Sequence, residues 1–393
     1  MDEFLCGAQA MAPALIQMRR ALHGMAEVGM WLPRTQAYVA QQLADMGCAV
    51  DEFPGGGLCA RIGPEGGGPA FLLRADMDGL PMREQSGLPF AACGEAAHTC
   101  GHDLHMAMLL GAARLLKRRE SQLPGQVLLL FQPAEETAEG MAALLSAGLL
   151  ERYHPDAALG LHTAPLQPTG RVNCTSGWKT ASFDRFLIRV RGAGGHGAMP
   201  HLCVDPITAA VQIHLALQGM ISRECDPGQR CVAVIGRFSA GTAGNVIPEC
   251  AELEGTLRAS SAGQRGFMRE RLEQIVQGTA QTARAFAQVE WLAGVPPIFC
   301  DEALTAELSE YAVQALGEEL VDREPQRLSA SEDFSLLGER IPITYFTIGT
   351  GLPEQGYAFG NHHPQVVYDE QAVPAGAAVL ASCAFRWLRA RGG

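Results

Sequence analysis

Short apolar runs that end in polar, chemically able side chains set the limits on what this chain can fold into. Leu58–Ile62 and residues 70–74 lie among the glycine-rich turns Gly55-Gly56-Gly57 and Gly66-Gly67-Gly68, and the second runs into Ala75-Asp76-Met77-Asp78. Residues 127–131 are followed by Gln132-Pro133-Ala134-Glu135-Glu136, and residues 157–161 by His162. Short, continuous apolar runs fit strands covered on both faces, as in parallel sheets. Helical spacing of apolar residues occupies 12–28 (Leu15, Ile16, Met18, Leu22, Met25), 34–46, 101–117 and 141–149. Strands alternating with helices, with polar residues gathered at strand ends, predict an α/β domain whose site lies along that sheet edge.

From Phe183 the pattern changes. Phe183–Arg191 alternates, 206–222 is helical, 231–239 and 249–260 alternate, 265–286 is helical, and 288–292 is short and extended. That order is the one found in ferredoxin-like α+β sandwiches. Buried-strand character returns at 345–349, and Asn361-His362-His363-Pro364 again reads as a site. At 393 residues the chain exceeds one ordinary core. The expected division is a discontinuous domain over 1–182 and 294–393, with an inserted domain over 183–293.

Charge excludes some partners. With 30 Lys+Arg against 42 Asp+Glu and a net charge of −12, nucleic acid and anionic membrane are poor partners. The cationic run Lys117-Arg118-Arg119 reads as the complement of a helix C-terminus. Twelve cysteines are spread from Cys6 to Cys383, and Met1-Asp2-Glu3-Phe4-Leu5 has no charged-then-apolar signal pattern, so reduced thiols in the cytoplasm are expected. No run reaches the roughly 18 apolar residues of a membrane span.

The stretch His98-Thr99-Cys100-Gly101-His102-Asp103-Leu104-His105 carries the most chemistry. Cys100 and His102 bracket a glycine where a helix begins, so the thiol sits at the positive end of a helix dipole; a buried structural cysteine beside a capping histidine is the alternative. Adjacent Glu135 and Glu136 point to different sides if extended, so that one can bind a cation while the other takes a proton. His162 and His362 come from separate segments, and His98 and His105 flank the motif. Asp76 and Asp78 share a face of an extended segment, suited to orienting a ligand or a substrate. In the inserted region the glycine-rich loop 192–201 holds His196 and His201 without a nucleotide fingerprint, while Asn245 and Arg258 suit a carboxylate. A thiol-redox protein using Cys100 with Cys93 as resolving partner, and a metal-dependent dimer without catalysis, are the rival classes.

Taken together, these residues resemble the amidohydrolase branch of the co-catalytic metallopeptidase family, which includes hippurate hydrolases, N-acyl amino acid deacetylases and plant auxin-conjugate hydrolases. The likeness covers nearly the whole chain: Arg19-Arg20-Ala21-Leu22-His23, Arg74 through Pro81, Cys100-Gly101-His102-Asp103, Phe131 through Glu136, Gly195-His196, Asn245 through Pro248, Ser331-Glu332-Asp333-Phe334 and His362-His363-Pro364. It implies a di-metal-peptidase-type α/β domain with an inserted ferredoxin-like lid that also forms a dimer surface. It further implies two divalent cations, zinc first with manganese or cobalt also workable, held by Cys100, His102, Glu136, His162 and His362. Glu135 would be the general base, Asp78 a supporting carboxylate and His196 an oxyanion donor, with Asn245 and Arg258 engaging the substrate carboxylate or the lid contact. The implied reaction is hydrolysis of an N-acyl amino acid to an acid and a free amino acid in a homodimer; exopeptidase action on a dipeptide is the alternative. His98 and His105 fall to supporting roles. Two departures stand out: Ala26 where proline usually precedes Glu27, and Gly79 where alanine usually follows Asp78.

Overall fold

The computed structural model describes residues 2–64 and 66–392. Its packing divides the chain into two units. The first takes the chain up to Gly177, Phe299–Gln326 and the chain from Leu336 onward; the second takes Trp178–Ile298 and Arg327–Ser335. These boundaries differ from the expected 182/183 and 293/294, and 327–335 belongs to the second unit rather than to the first. Backbone pairing explains the difference: Leu328 N–H donates to Lys179 O, and Ala181 N–H to Ala330 O, so this late segment is stitched to the start of the second unit.

The first unit is built on an eight-stranded mixed sheet in the order Ala49–Glu52, Leu58–Ile62, Gln126–Gln132, Ala70–Asp76, Ala157–Ala164, Ile343–Gly349, Val172–Asn173, Val321–Asp322. The four central strands, from Gln126–Gln132 to Ile343–Gly349, run parallel. All but three of their residues (Gln126, His162 and Ala164) are buried, which is why they read as unbroken apolar runs. Register sets Asp76 beside Gln132 and His162 beside Thr347, so the strand ends line up along one edge. The helices His102–Lys117 and Ala372–Arg391 are buried along most of their length and belong to the same core.

In the second unit, Phe183–Arg191, Cys231–Ala240, Cys250–Ala259 and Phe286–Val295 form a four-stranded antiparallel sheet, with Cys231–Ala240 at one edge and Phe286–Val295 at the other. The helices Pro206–Gly219 and Ala262–Thr282 cover one face and close a separate core. In chain order this is strand, helix, strand, strand, helix, strand, the split βαβ arrangement. The second helix stops at Thr282 rather than reaching 286, because Arg284 takes a left-handed φ of 61° that ends the helix and begins the next strand. Among the described residues no helix is long and apolar enough to cross a membrane.

Candidate metal centre

Gly101 decides where the Cys100-Gly101-His102 motif points. Its φ is 83°, and a Cβ there would lie 2.5 Å from Thr163 Oγ1; only glycine combines that backbone with that approach. Thr163 Oγ1 in turn donates to Cys100 O at 3.0 Å, which ties the motif to the end of the strand Ala157–Ala164. On the neighbouring loop, Ala134 takes a φ of 51° just after the strand Gln126–Gln132. Asp78 then holds both acidic residues by their backbones: Glu135 N–H donates to its Oδ1 at 3.0 Å and Glu136 N–H to its Oδ2 at 3.1 Å.

The five residues expected to bind cations come together. Donor atoms of Cys100, Glu136 and His362 lie within 4.8 Å of one another; so do those of His102, Glu135 and Glu136, and those of Asp76, His102, His105 and His162. His362 Nε2 is 3.4 Å from Glu136 Oε2, and Cys100 Sγ is 3.6 Å from His162 Nε2. Two imidazoles follow one rule: His102 Nδ1–H donates to Asp78 O at 2.7 Å and His162 Nδ1–H to Thr163 O at 2.8 Å. Each therefore turns Nε2 toward the cluster, the way ligating histidines are oriented from behind. His105 is different. Its Nε2 accepts Thr163 N–H at 2.8 Å and its Nδ1 donates to Asp76 Oδ1 at 2.5 Å, so both nitrogens are spent. Asp76 takes a second hydrogen bond from Arg74 Nη1 at 2.7 Å.

These donors fit a divalent cation. His102 Nε2 and Glu136 Oε1 are buried without a hydrogen-bond partner, a costly arrangement unless something positive satisfies them. Burial pushes the His102 imidazole toward neutrality, yet Asp76, together with Asp78 and Glu136, raises it to about 10, so the site attracts positive charge. Burial, then the charges of Glu136, Glu135 and Asp76, push the Cys100 thiol well above its usual range; a cation at the sulfur reverses that balance and favours thiolate.

The second unit holds the remaining predicted residues. His196 is exposed on a two-residue strand paired with Val246–Ile247, and Gly197 N–H donates to Asn245 O at 2.9 Å, so His196 and Asn245 are neighbours. His196 Nδ1 accepts Ala198 N–H at 3.1 Å, which leaves Nε2–H as an outward donor. Arg258 lies over the Phe183 ring at 5.2 Å and reaches Ser331 Oγ at 3.4 Å.

Sequence reasoning passed over a buried ion network behind the site. Asp103, next to His102, takes Arg19 Nε at 2.7 Å and His23 Nδ1 at 2.8 Å, while His23 Nε2 faces Glu84 at 3.0 Å. Burial disfavours the charged imidazole, but Asp103 and Glu84 outweigh it and raise His23 to about 9. The signal was present as Arg19 and His23, four residues apart on one helical face. The two departures from the family pattern meet at one point. A Cβ on residue 79 would approach Ala97 O to 2.9 Å and Ala26 Cβ to 3.4 Å, and neither residue is among the expected ligands.

The family model described as Peptidase family M20/M25/M40 matches residues 72–386. The chain belongs to this family. It is 36% identical over 361 residues to an N-acetyl-L-cysteine deacetylase of Bacillus subtilis (strain 168), covering 91% of this chain and 84% of that one. It is 32% identical over 378 residues to thermostable carboxypeptidase 1 of Saccharolobus solfataricus, covering 95% of each. A crystal structure of a dinuclear metal binding peptidase of family M20 from Bacillus subtilis superposes with a TM-score of 0.83 at 32% identity, over 97% of this chain and 99% of that one. Family membership makes the chain an enzyme of the hydrolase class, with the α/β fold of that family.

Proposed function

We propose that the chain hydrolyses the amide bond of N-acyl amino acids, releasing a carboxylic acid and a free amino acid. Cys100, His102, Glu136, His162 and His362 would hold two divalent cations, zinc first and manganese or cobalt as workable substitutes. Cations bound there supply a Lewis acid for the carbonyl and acidify the attacking water. The observation that carries the reading is the clamp of Asp78 on two successive amides. It sets Glu136 against Cys100 and His362, while Glu135 stays beside His102 with its Oε2 4.0 Å from Nε2. Glu135 takes the proton of the attacking water and returns it to the departing amine nitrogen. Asp78 acts as a positioning residue for both glutamates and for His102. His196 offers Nε2–H to the oxyanion, and Asn245 and Arg258 take the substrate carboxylate. Exposed Val232, Val234 and Phe238 on the edge strand, with Val211 and Leu215 on the helix Pro206–Gly219, support a homodimer through the second unit. Cytoplasmic residence goes with twelve cysteines scattered from Cys6 to Cys383 rather than spaced as a disulfide framework.

Glu135→Gln tests the assignment. Metal content should match the wild type, while kcat falls by a factor on the order of 10²–10⁴, the usual worth of a general base; near-normal turnover refutes it. The similarity to a carboxypeptidase keeps exopeptidase action as the second reading. Chelated enzyme, reloaded with one metal at a time and assayed on N-acetyl and N-benzoyl amino acids against dipeptides, separates the two.

A further inference from the structure

One side chain touches the Cys100 sulfur without belonging to the ligand set. Asn361 Nδ2 lies 3.7 Å from Cys100 Sγ, and its Oδ1 lies 2.9 Å from the Tyr368 hydroxyl. That hydroxyl is also 2.8 Å from Thr99 O, which accepts the His362 backbone N–H at 2.8 Å. Residues 361–368 are thus fastened to the backbone just before Cys100 at two points. His362 adopts a left-handed φ of 66° at this place, a conformation that non-glycine residues take only where the surroundings impose it.

A carboxamide can turn either its oxygen or its N–H group toward a neighbour, and the hydrogen-bond network decides which. A protonated thiol donates weakly and suits the oxygen. A thiolate has only lone pairs and requires the N–H. Thr99 O is already supplied by His362, so the single Tyr368 proton can go to Asn361 Oδ1, leaving Nδ2–H to face the sulfur. This arrangement matches a thiolate at residue 100, the state that a bound divalent cation imposes on a coordinating thiol.

We propose that Asn361 is a positioning residue for the Cys100 thiolate, donating Nδ2–H to Sγ in an orientation set by Tyr368, and that it thereby reduces the electron density the sulfur gives to a cation. The inference rests on the reading that Cys100 is a ligand. Hydrogen bonds to a coordinating sulfur tune it in this sense in metal sites generally.

The test uses the full chain stripped by a chelator and reloaded with cobalt(II) alone, read by the thiolate-to-cobalt charge-transfer absorption. Wild type should show a band that Cys100→Ser removes. Asn361→Ala and the equally sized Asn361→Asp, which offers no N–H, should move that band to longer wavelength at equal cobalt content. Tyr368→Phe should move it less, in the same direction. A band unmoved in both Asn361 variants overturns the proposal while leaving Cys100 as a ligand. A wild-type spectrum without any Cys100-dependent band overturns the metal reading and the proposal with it. Asn361→Asp covers the case in which the alanine variant fails to fold.

Discussion

The buried ion network around His23 makes stability depend on pH in a way that can be worked from the structure. His23 bridges Asp103 and Glu84 at 2.8 and 3.0 Å, and its imidazole is raised from 6.5 to about 9. A raised value means that the folded protein holds the proton more tightly than the unfolded chain. The stabilisation is therefore fully present below pH 6.5, declines as pH rises from 6.5 to about 9, and is gone above that. At about 1.4 kcal/mol per pH unit, the rise is worth about 3 kcal/mol. The lowering of Glu84 has His23 among its causes, so it is the same interaction seen from the partner and is not added to this figure. The perturbation is His23→Gln, and the assay is urea unfolding of wild type and variant, both metal-loaded so that His102 does not titrate, from pH 6 to pH 10. The variant should be less stable by about 3 kcal/mol at pH 6, and that gap should close by pH 10. Taking the difference cancels groups that titrate alike in both proteins. A gap that stays constant across the range refutes the assignment of a bound proton to His23.

Other perturbations follow from single contacts. Gly101→Ala places a Cβ against Thr163 Oγ1 at a left-handed φ; it should cost about 1–3 kcal/mol of stability and lower metal content measured by elemental analysis. Asp78→Asn replaces one of two acceptors with a donor facing a backbone N–H; kcat should drop at least about tenfold with metal retained, since the base is displaced rather than removed. In the second unit, Asp184 is fully buried against Arg265 and Arg269, so Asp184→Asn should lower unfolding free energy by about 3–5 kcal/mol in thermal or chemical denaturation.

Much of the site was legible because its residues follow strand ends or start a helix, where short apolar runs and a glycine leave a visible trace. Glu135 and Glu136 follow the strand Gln126–Gln132, His162 lies two residues before the end of the strand Ala157–Ala164, and Gly101 precedes a helix of apolar residues. The supporting contacts left no such trace. Arg19 meets Asp103, and Tyr368 meets Asn361 and Thr99, by pairings between segments that no local periodicity encodes. The segment Arg327–Ser335 likewise reads as loop, yet joins the second unit through two backbone hydrogen bonds to residues near 180.

The sequence by itself determined which residues could do chemistry here: a thiol, imidazoles and paired carboxylates at strand ends in an α/β pattern, because side-chain type and hydrophobic period are written locally. Tertiary structure alone decided their states. Parallel register brought Asp76 and His162 to one edge, and the Asp78 clamp separated two adjacent glutamates. Backbone carbonyls fixed which nitrogen of His102 and His162 faces the cluster, whereas the Thr163 amide and Asp76 removed His105 from it. Tautomer, charge and direction depend on partners distant in the chain, and so they exist only once the chain has folded.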